Sequence, residues 1–433
     1  MRQSVILRNI QNYFVKNINL IEMRFKGTIN IFKDNQHLLF TQIIDKIYYF
    51  GFFVILARSL DLNSYASIIL TFTFANFTTV LFCFGFPIYL QREVALGATN
   101  KSDLFTKLFS YNLLLSVPYL VLSGIIFNIV YSGMGNQMLV FLIIFAITSS
   151  SELLVMSLLK GMKKYKQIFT LTLFIRIVVI FVIVCIWLNK YDGNIIVFAF
   201  LGGNIVYLIS LLFQVKKYIR LYHIFNLSLK EAKIYFTVIS PLWAAMVFNY
   251  LYDKADVFII SKIVTFEQLS FYSIAYGILK SSTITFNFLL IGGLTKVTLF
   301  TNNKRGVKLF LAKYSEFVLI ISISLFFVLY FGAKNVILFV YTEKFTDAVM
   351  VLKVLSFAII PLALNSLTGV VMNGIGLYKE NMYVTIFGFL FNIIANIIVL
   401  PIYGIIGAAY ITIVTEIIIL TGDLFFIKHR DKI

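Results

Sequence analysis

An acid and a base stand side by side in residues 42–49, QIIDKIYY, within an otherwise apolar segment. A second such stretch occupies residues 249–256, NYLYDKAD. A charged side chain near the middle of a bilayer costs about 2.5–3.5 kcal/mol on insertion scales. Such residues usually face a bundle interior or a wet cavity, so these two stretches indicate where a polar path crosses the protein.

The surrounding sequence has the composition of a helical membrane protein. Of its 433 residues, 60% are hydrophobic and 13% are charged, and the mean hydropathy is +0.92. Because a helix needs about 20 apolar residues to span a bilayer, we predict an all-α polytopic membrane protein with about twelve transmembrane helices. The predicted spans are residues 38–59, 65–90, 107–130, 138–159, 166–188, 194–214, 235–261, 268–294, 312–332, 347–373, 382–400 and 404–426.

Basic residues alternate between the loops of this topology. The net charge of +18 comes mainly from the two termini and from every second loop. The intervening loops carry far fewer basic residues, namely Arg58, Lys190, Lys262, Lys334 and Lys344. By the positive-inside rule both termini are cytoplasmic. The distribution of basic residues therefore indicates the membrane topology, and we do not expect a nucleic-acid partner.

The cysteines and the N-terminal segment exclude several other classes. Cys83 and Cys185 both fall within predicted spans, so we expect neither a disulfide framework nor a metal cluster. Residues 1–36 lack the apolar core and cleavage site of a signal peptide. Their mixture of apolar and basic residues suits an interfacial amphipathic helix, and the alternative is that Met23 is the true start.

The longest polar connection divides the predicted spans into two sets of six. The charged stretches then fall in the first and seventh spans, which predicts an internal duplication with two six-helix bundles. We expect a cytoplasmic tail over residues 1–36, an N-terminal lobe over 37–214, a basic cytoplasmic linker over 215–234, a C-terminal lobe over 235–427 and a cytoplasmic tail over 428–433. No connection is long enough for a soluble catalytic domain. Pro87 is expected to break the second span near its cytoplasmic end.

Several ionisable residues inside the spans have a structural alternative to a functional role. Glu152 and Arg176 lie at similar depth in neighbouring spans, so an ion pair that ties the first bundle together is slightly favoured over a transport role. Lys254 is expected to be neutralised by Asp253, by Asp256 or by an acid on a facing helix. Lys280 is left without an evident partner and shares a helix face with Tyr276 and Thr283, so we expect it to face a cavity.

The remaining polar residues in the spans fit supporting roles. Lys353 lies nearer the outer surface and is expected to snorkel. Asn392 and Asn396 are one turn apart and are expected to form hydrogen bonds between helices. Glu416, near the centre of the last span, either binds a coupling proton or pairs with a neighbour.

The signs of these charges indicate an anionic substrate. Lysine and arginine both bind phosphate groups, and the candidate substrate-binding cations are Lys46, Arg176, Lys254 and Lys280. Interleaved acids would keep an anion from binding too tightly and could carry a coupling ion. The candidate acids are Asp45, Asp253, Asp256 and Glu416. The first and seventh spans are expected to present their charges to one shared cavity.

Short motifs spread along the chain resemble one membrane-protein family. They include residues 57–65, ARSLDLNSY, and residues 84–95, FGFPIYLQREVA. The second half contributes residues 271–275, FYSIA, residues 372–379, MNGIGLYK, and residues 401–409, PIYGIIGAA. Their order and spacing from about residue 35 to 425 resemble bacterial polysaccharide flippases of the multidrug/oligosaccharidyl-lipid/polysaccharide exporter superfamily. The usual glycine before the aromatic residue in the first loop is absent at Ser64-Tyr65.

The resemblance implies a multi-pass protein of the bacterial cytoplasmic (inner) membrane with V-shaped exporter-type lobes. It implies the flipping of an undecaprenyl-diphosphate-linked oligosaccharide, such as an O-antigen repeat unit of lipopolysaccharide, by alternating access. A proton or sodium gradient is the implied energy source, and polysaccharide polymerases are implied partners. No catalytic residue, cofactor or resident metal is expected.

Two other functions remain open at this point. A multidrug or other polyprenyl-lipid exporter of the same superfamily would have a similar sequence pattern, but the bases among the intramembrane charges favour an anionic substrate. A membrane polymerase or glycosyltransferase is the alternative from another class. It would normally have a large outer loop, and the outer loops of this chain are short.

Overall fold

The computed structural model describes residues 36–98, 100–131, 135–219, 228–283, 285–286, 290, 297 and 304–429. Helices dominate these residues, and no strand occurs among them. The N-terminal tail with its predicted interfacial helix lies outside the described residues, as does the end of the C-terminal tail.

The first half of the described chain forms seven α-helices. They are α1 Gln36–Ser59, α2 Leu62–Cys83, α3 Phe86–Ala95, α4 Lys101–Val130, α5 Asn136–Gly161, α6 Tyr165–Leu188 and α7 Gly193–Val215. A short 3-10 turn at Lys216–Tyr218 follows.

The second half forms six more helices in the part of the chain that is described. They are α8 Leu229–Ile263, α9 Phe266–Ser282, α10 Lys304–Val340, α11 Ala348–Ser356, α12 Ile359–Gly374 and α13 Tyr378–His429. Helix α13 contains a kink at Gly404, whose φ of 57° is outside the helical region. Helices α11 and α12 are bent by 47° relative to each other.

These helices follow the predicted spans in order. Within the described residues, nine are long and apolar enough to cross a membrane, or ten if α11 and α12 form one bent span. The kink in α13 separates the last two predicted spans. Helix α9 has 17 residues, and the rest of its predicted span lies partly outside the described residues. The predicted all-α membrane fold is confirmed.

The second predicted span ends at a backbone break. Phe84 and Gly85 both have left-handed conformations, with φ of 47° and 73°. Pro87 lies in the first turn of α3, where its missing N–H leaves no hydrogen bond unmade. The predicted break near Pro87 is confirmed, and α3 turns away from α2 to pack on α5.

Each half of the chain packs mainly on itself. In the first lobe α5 contacts α2, α3, α4 and α7, and α6 packs on α7. Helix α1 joins this lobe through Phe52, whose ring stacks on Phe200 with centroids 3.8 Å apart. In the second lobe α12 packs between α10 and α13, and α13 packs on α8.

Basic side chains join the lobes at one end. Lys344 donates to the carbonyl oxygen of Leu60, and we call the other two, Arg58 and Lys262, the latch. Arg58, the penultimate residue of α1, donates hydrogen bonds to the carbonyl oxygens of Phe339 and Val340 at the end of α10. Lys262, the penultimate residue of α8, donates to the carbonyl of Val130 at the end of α4. Each cation meets the negative end of a helix in the opposite lobe. The predicted topology places this end on the outer side.

Helix α8 also reaches the first lobe towards its other end. The Trp243 indole N–H donates to the Leu81 carbonyl at 2.9 Å. Lys107 and Glu231 form an ion pair of 2.9 Å there. The two lobes therefore meet along much of α8, and a cavity lies beside this contact.

Candidate functional site

A cavity of about 650 Å³ lies between the lobes, with α1 and α2 on one wall and α8 and α9 on the other. Three lysines line it: Lys46 from α1, Lys254 from α8 and Lys280 from α9. Much of the rest of the lining is aromatic. The aromatic lining residues are Tyr49, Phe50, Phe53, Tyr65, Phe72, Tyr250, Tyr276 and Tyr341.

Lys254 and Lys280 share one carboxylate. The Asp253 side chain lies 3.0 Å from Lys254 Nζ and 2.8 Å from Lys280 Nζ. Both ammonium groups also lie over the ring of Tyr276, at 5.5 and 5.3 Å from its centroid, which is within the range of a cation–π contact. The cluster carries two positive charges and one negative charge, so its net charge is positive.

This geometry corrects one expectation and confirms two. Lys280 was expected to lack a partner, but Asp253 approaches it from the neighbouring helix. Its predicted position at a cavity is confirmed. The predicted neutralisation of Lys254 by an adjacent acid is also confirmed.

Lys46 lines the opposite wall of the same cavity. No acidic side chain forms an ion pair with it among the residues that the structure describes. The lysines of the first and seventh predicted spans therefore share one cavity. The nearby acids Asp45 and Asp256 do not line this cavity. Each forms hydrogen bonds within its own lobe instead.

Arg176 is at the centre of a buried network in the first lobe. Its guanidinium donates to Asp45 at 3.0 Å, to Asn204 at 2.7 Å and to Glu152 at 3.4 Å. It also lies over the rings of Tyr48 and Tyr207, at 4.5 and 4.3 Å from their centroids. The predicted pairing of Glu152 with Arg176 is confirmed.

Arg176 does not line the cavity, in contrast to the interpretation that counted it among the substrate-binding cations. Only 1% of the residue's surface is exposed. Two carboxylates and an amide oxygen occupy its donors, so it has little capacity to bind an external anion. Asp45 is likewise held by Arg176 instead of facing the second lobe.

Asp256 is at the centre of a hydrogen-bond network in the second lobe, and the donors to it are neutral. Its carboxylate accepts from Tyr272 at 2.8 Å and from Asn396 at 3.1 Å. Asn396 also donates to Asn392, and Asn392 donates to Thr415. The predicted role of the two asparagines in hydrogen bonds between helices is confirmed.

Glu416 pairs with neutral neighbours. Tyr252 donates to one carboxylate oxygen at 2.9 Å, and Asn365 donates to the other at 2.7 Å. Of the two alternatives for Glu416, hydrogen bonding to neighbours is observed, and a coupling role is left as a proposal. Lys353 lies 5.8 Å from the ring centroid of Tyr330, away from the cavity lining.

Sequence reasoning missed a further buried acid, Asp423. It is 2% exposed and accepts from Thr368 at 2.6 Å. Asp423 follows Glu416 by seven residues, so the two acids share a helix face. This spacing was the signal that could have identified it.

The fold and the cavity define a two-lobed, multi-pass helical membrane protein. A family model described as polysaccharide biosynthesis protein matches residues 55–350, which is more than half of the chain. The chain belongs to this family, and the resemblance noted in its motifs is confirmed at that level.

The chain is also similar to individual proteins over most of its length. An uncharacterized membrane protein of Methanocaldococcus jannaschii, MJ1375, is 22% identical over 427 residues, which cover 93% of this chain and 99% of the relative. Among solved structures, the lipid II flippase MurJ in an inward closed conformation is similar with a TM-score of 0.72. It is 16% identical, and the match covers 90% of this chain and 87% of that one.

A multidrug resistance MATE family transporter of the MOP superfamily, in an inward-facing conformation, also has a TM-score of 0.72. It is 14% identical over 92% of this chain and 99% of the other. At these identities the structural likeness shows the fold alone. That fold is shared by a flippase and by a drug transporter.

Proposed function

We propose that this protein flips an undecaprenyl-diphosphate-linked oligosaccharide across the bacterial inner membrane by alternating access. The single observation that supports this best is the group of three lysines in the cavity between the lobes, accompanied by one acid, Asp253. A diphosphate is a compact anion that ammonium groups bind as point charges. The excess of bases argues against a cationic drug as the substrate.

The form of the cavity also suits such a substrate. Its volume of about 650 Å³ is typical of sites that enclose most of a small ligand. The aromatic walls can pack against sugar rings, while the polyprenyl chain remains in the bilayer. Ser273, which lines the cavity, has a buried hydroxyl oxygen without a partner among the described groups, so a polar ligand would have a free contact there.

Asp253 is proposed to weaken the hold of the lysines on the anion. When the diphosphate enters, it competes with this carboxylate for Lys254 and Lys280. When it leaves, the carboxylate again pairs with both ammonium groups. A carrier must bind its substrate strongly enough to load it and weakly enough to release it.

Alternating access requires the lobes to separate at one end while they close at the other. With both termini in the cytoplasm, the latch closes the outer end. Release to the outer leaflet then requires Arg58 and Lys262 to leave the carbonyl oxygens that they bind. The implied O-antigen-type product would pass next to a polysaccharide polymerase.

An ion gradient is proposed to drive the cycle. Of the four candidate coupling acids, Asp45 is held by Arg176 and Asp253 by two lysines. Asp256 and Glu416 accept hydrogen bonds from neutral groups instead. They are therefore the two whose charge a proton or sodium ion can most readily compensate.

Deletion of the gene in a strain that makes one defined glycan tests the proposal. Lipid-linked units are expected to accumulate in the cytoplasmic leaflet, and the wild-type gene is expected to restore their appearance outside. The strain must have no second flippase for this unit. Normal delivery of units to the outer leaflet in the deletion strain would disprove the proposal, and restored drug export without glycan export would favour the multidrug alternative.

A further inference from the structure

Lysines gather at one end of the first lobe, where α6 begins and α7 ends. Helices α6 and α7 follow each other in the chain and pack side by side, so the start of one lies beside the end of the other. The predicted topology places this end on the cytoplasmic side. The lysines are exposed or half-buried, and we call them the lysine patch: Lys163, Lys164, Lys166, Lys216 and Lys217.

The ring of Tyr218 joins the two parts of the patch. Lys164 Nζ lies 5.5 Å from the ring centroid and Lys217 Nζ lies 5.2 Å from it, which is within the range of a cation–π contact. The backbone of Tyr218 is tied to α4, because its carbonyl oxygen accepts from Thr106 Oγ1 at 3.3 Å. Two ammonium groups from different elements therefore lie at one place on the surface, although like charges repel each other.

The positive charge of the patch has no acidic counterpart in the part of the chain that the structure describes, since no acidic side chain there forms an ion pair with a patch lysine. The acids of neighbouring elements are already paired. Glu93 pairs with Arg92 at 2.7 Å, and Asp103 and Glu231 both pair with Lys107. The first turn of α6 also contains no acid, so the charge of the patch must be balanced from outside.

The helix faces that lead to the patch are exposed and apolar. On α7, Val206, Ile209 and Phe213 are exposed, and their spacing of three and four residues continues to Lys217 on the same face. On α6, Ile177 is exposed and lies about three turns from Lys166 on the same side of the helix. Basic residues at the cytoplasmic end of such apolar faces are typical of sites for lipid head groups.

We propose that the lysine patch binds the head group of an anionic phospholipid of the cytoplasmic leaflet, whose acyl chains lie along the exposed faces of α6 and α7. The phosphate oxygens accept hydrogen bonds from the ammonium groups and supply the negative charge that the patch lacks. A soluble anion would meet the lysines but leave the apolar faces uncovered. The site is separate from the cavity between the lobes, and it does not depend on which substrate the protein carries.

Thermal unfolding of the purified full-length protein in detergent tests the binding. Short-chain phosphatidylglycerol is expected to raise the Tm in a saturable manner, because a ligand that binds the native state stabilises it. Phosphatidylcholine of equal chain length is expected to have little effect. Lys164→Gln combined with Lys217→Gln should weaken the apparent affinity for phosphatidylglycerol about tenfold. The matched control is Lys308→Gln combined with Lys379→Gln, which removes two exposed lysines from the predicted cytoplasmic end of the second lobe and should keep the wild-type affinity.

The lipid retained by the protein gives a direct second measurement. After extraction into polymer-bounded discs from vesicles of equal phosphatidylglycerol and phosphatidylcholine, the wild type should be enriched in phosphatidylglycerol and the patch variant should not. If that variant does not fold, Lys163→Gln combined with Lys217→Gln replaces it, since both side chains are exposed.

Three results would overturn the proposal. They are an equal Tm shift with phosphatidylcholine, an equal loss of affinity in the control variant, and an equal shift with inorganic phosphate alone. Because neither measurement involves a glycan, failure here is distinct from failure of the proposed flippase activity.

Discussion

The buried polar networks of the two lobes use corresponding spans but different charges. In the first lobe, the first, fourth, fifth and sixth spans contribute Asp45, Glu152, Arg176 and Asn204. In the second, the seventh and the tenth to twelfth contribute acids and neutral donors, namely Asp256, Asn365, Asn392, Asn396, Thr415 and Glu416. The first network includes its own cation. The second contains none among the described residues.

This difference separates a structural role from a functional one. A network that contains both signs of charge can hold its helices together without any external ion. In a network of acids and neutral donors, the negative charge of the carboxylates can be compensated from outside by a proton or a metal cation. We therefore expect the first lobe to serve as the more rigid part and the second lobe to respond to ions.

Substitution of Arg176 is expected to have the largest effect. Arg176→Met leaves Asp45 and Glu152 buried without their cation, which costs about 3–5 kcal/mol. The Tm measured in detergent should fall steeply, and the yield of folded protein should fall with it. Asn396→Leu in the second lobe is the comparison, and a smaller loss is expected because no ion pair is broken. Equal losses for the two variants would contradict the proposed difference between the lobes.

The next largest effect concerns Lys280. Lys280→Ala is expected to abolish complementation of the deletion strain while expression persists, because it removes one of three cavity cations. Lys280→Arg should retain part of the activity, since the charge remains. Lys353→Ala is the control, because Lys353 does not line the cavity. Full activity of the Lys280→Ala protein would remove this residue from the substrate path.

Substitution of the latch residues tests whether the two lobes contribute equally to closure of the outer end. Arg58→Ala and Lys262→Ala each remove a cation from a helix end, which is worth about 0.3–1 kcal/mol. The reporter is a Ser273→Cys protein in which Cys83 and Cys185 are replaced by alanine. Each latch substitution is expected to increase the rate at which the thiol at position 273 reacts with a thiol reagent severalfold.

The two effects should add, since the latch residues bind different helices. Lys334→Ala, at an exposed lysine on α10, is the control and should leave the labelling rate unchanged. A change confined to one of the two latch variants would show that the two latch contacts contribute unequally to closure of the outer end.

A local effect on stability alone is expected at the helix caps of the second span in each lobe. Asp61 caps α2 through Ser64 N at 3.1 Å, and Thr265 caps α9 through Gln268 N at 3.3 Å. Alanine at either position is expected to cost about 1 kcal/mol of stability.

Only the cap in the first lobe should depend on pH. The hydrogen bonds from Ser64 lower the pKa of Asp61 from its usual value of 3.8. Its stabilising contribution is therefore present above that value and is lost as the pH falls through the folded-state pKa. Unfolding at pH 3 and pH 7 should show a pH-dependent effect of Asp61→Ala and a constant effect of Thr265→Ala.

Hydropathy and charge alternation predicted the order of the spans because each span must by itself be long and apolar enough to cross the bilayer. The break at Phe84 and Gly85 was predictable for a similar reason, since a glycine and a proline act locally. The pairing of Glu152 with Arg176 followed from their depth in neighbouring spans. These features depend on one helix or on two that are adjacent in the chain.

The sequence did not predict which helix faces meet across the bundle. Asp253 pairs with Lys280, and Asp45 points to Arg176 instead of to the cavity, because these choices depend on the rotation of each helix about its axis. Helical spacing shows which residues share a face but not which neighbour that face meets. A smaller cavity inside the second lobe, lined by residues of α8, α12 and α13, was missed for this reason, since α8 is far from the other two helices in the chain.

The hydrogen-bond acceptors of the latch determine how this protein tolerates sequence change. Arg58 and Lys262 both bind main-chain carbonyl oxygens, which every residue type provides. The side chains at positions 130, 339 and 340 are therefore free to vary without loss of the contact. An insertion or deletion near the end of α4 or α10 would instead shift the carbonyl groups out of reach. The closure of this end thus depends on helix length more than on residue identity.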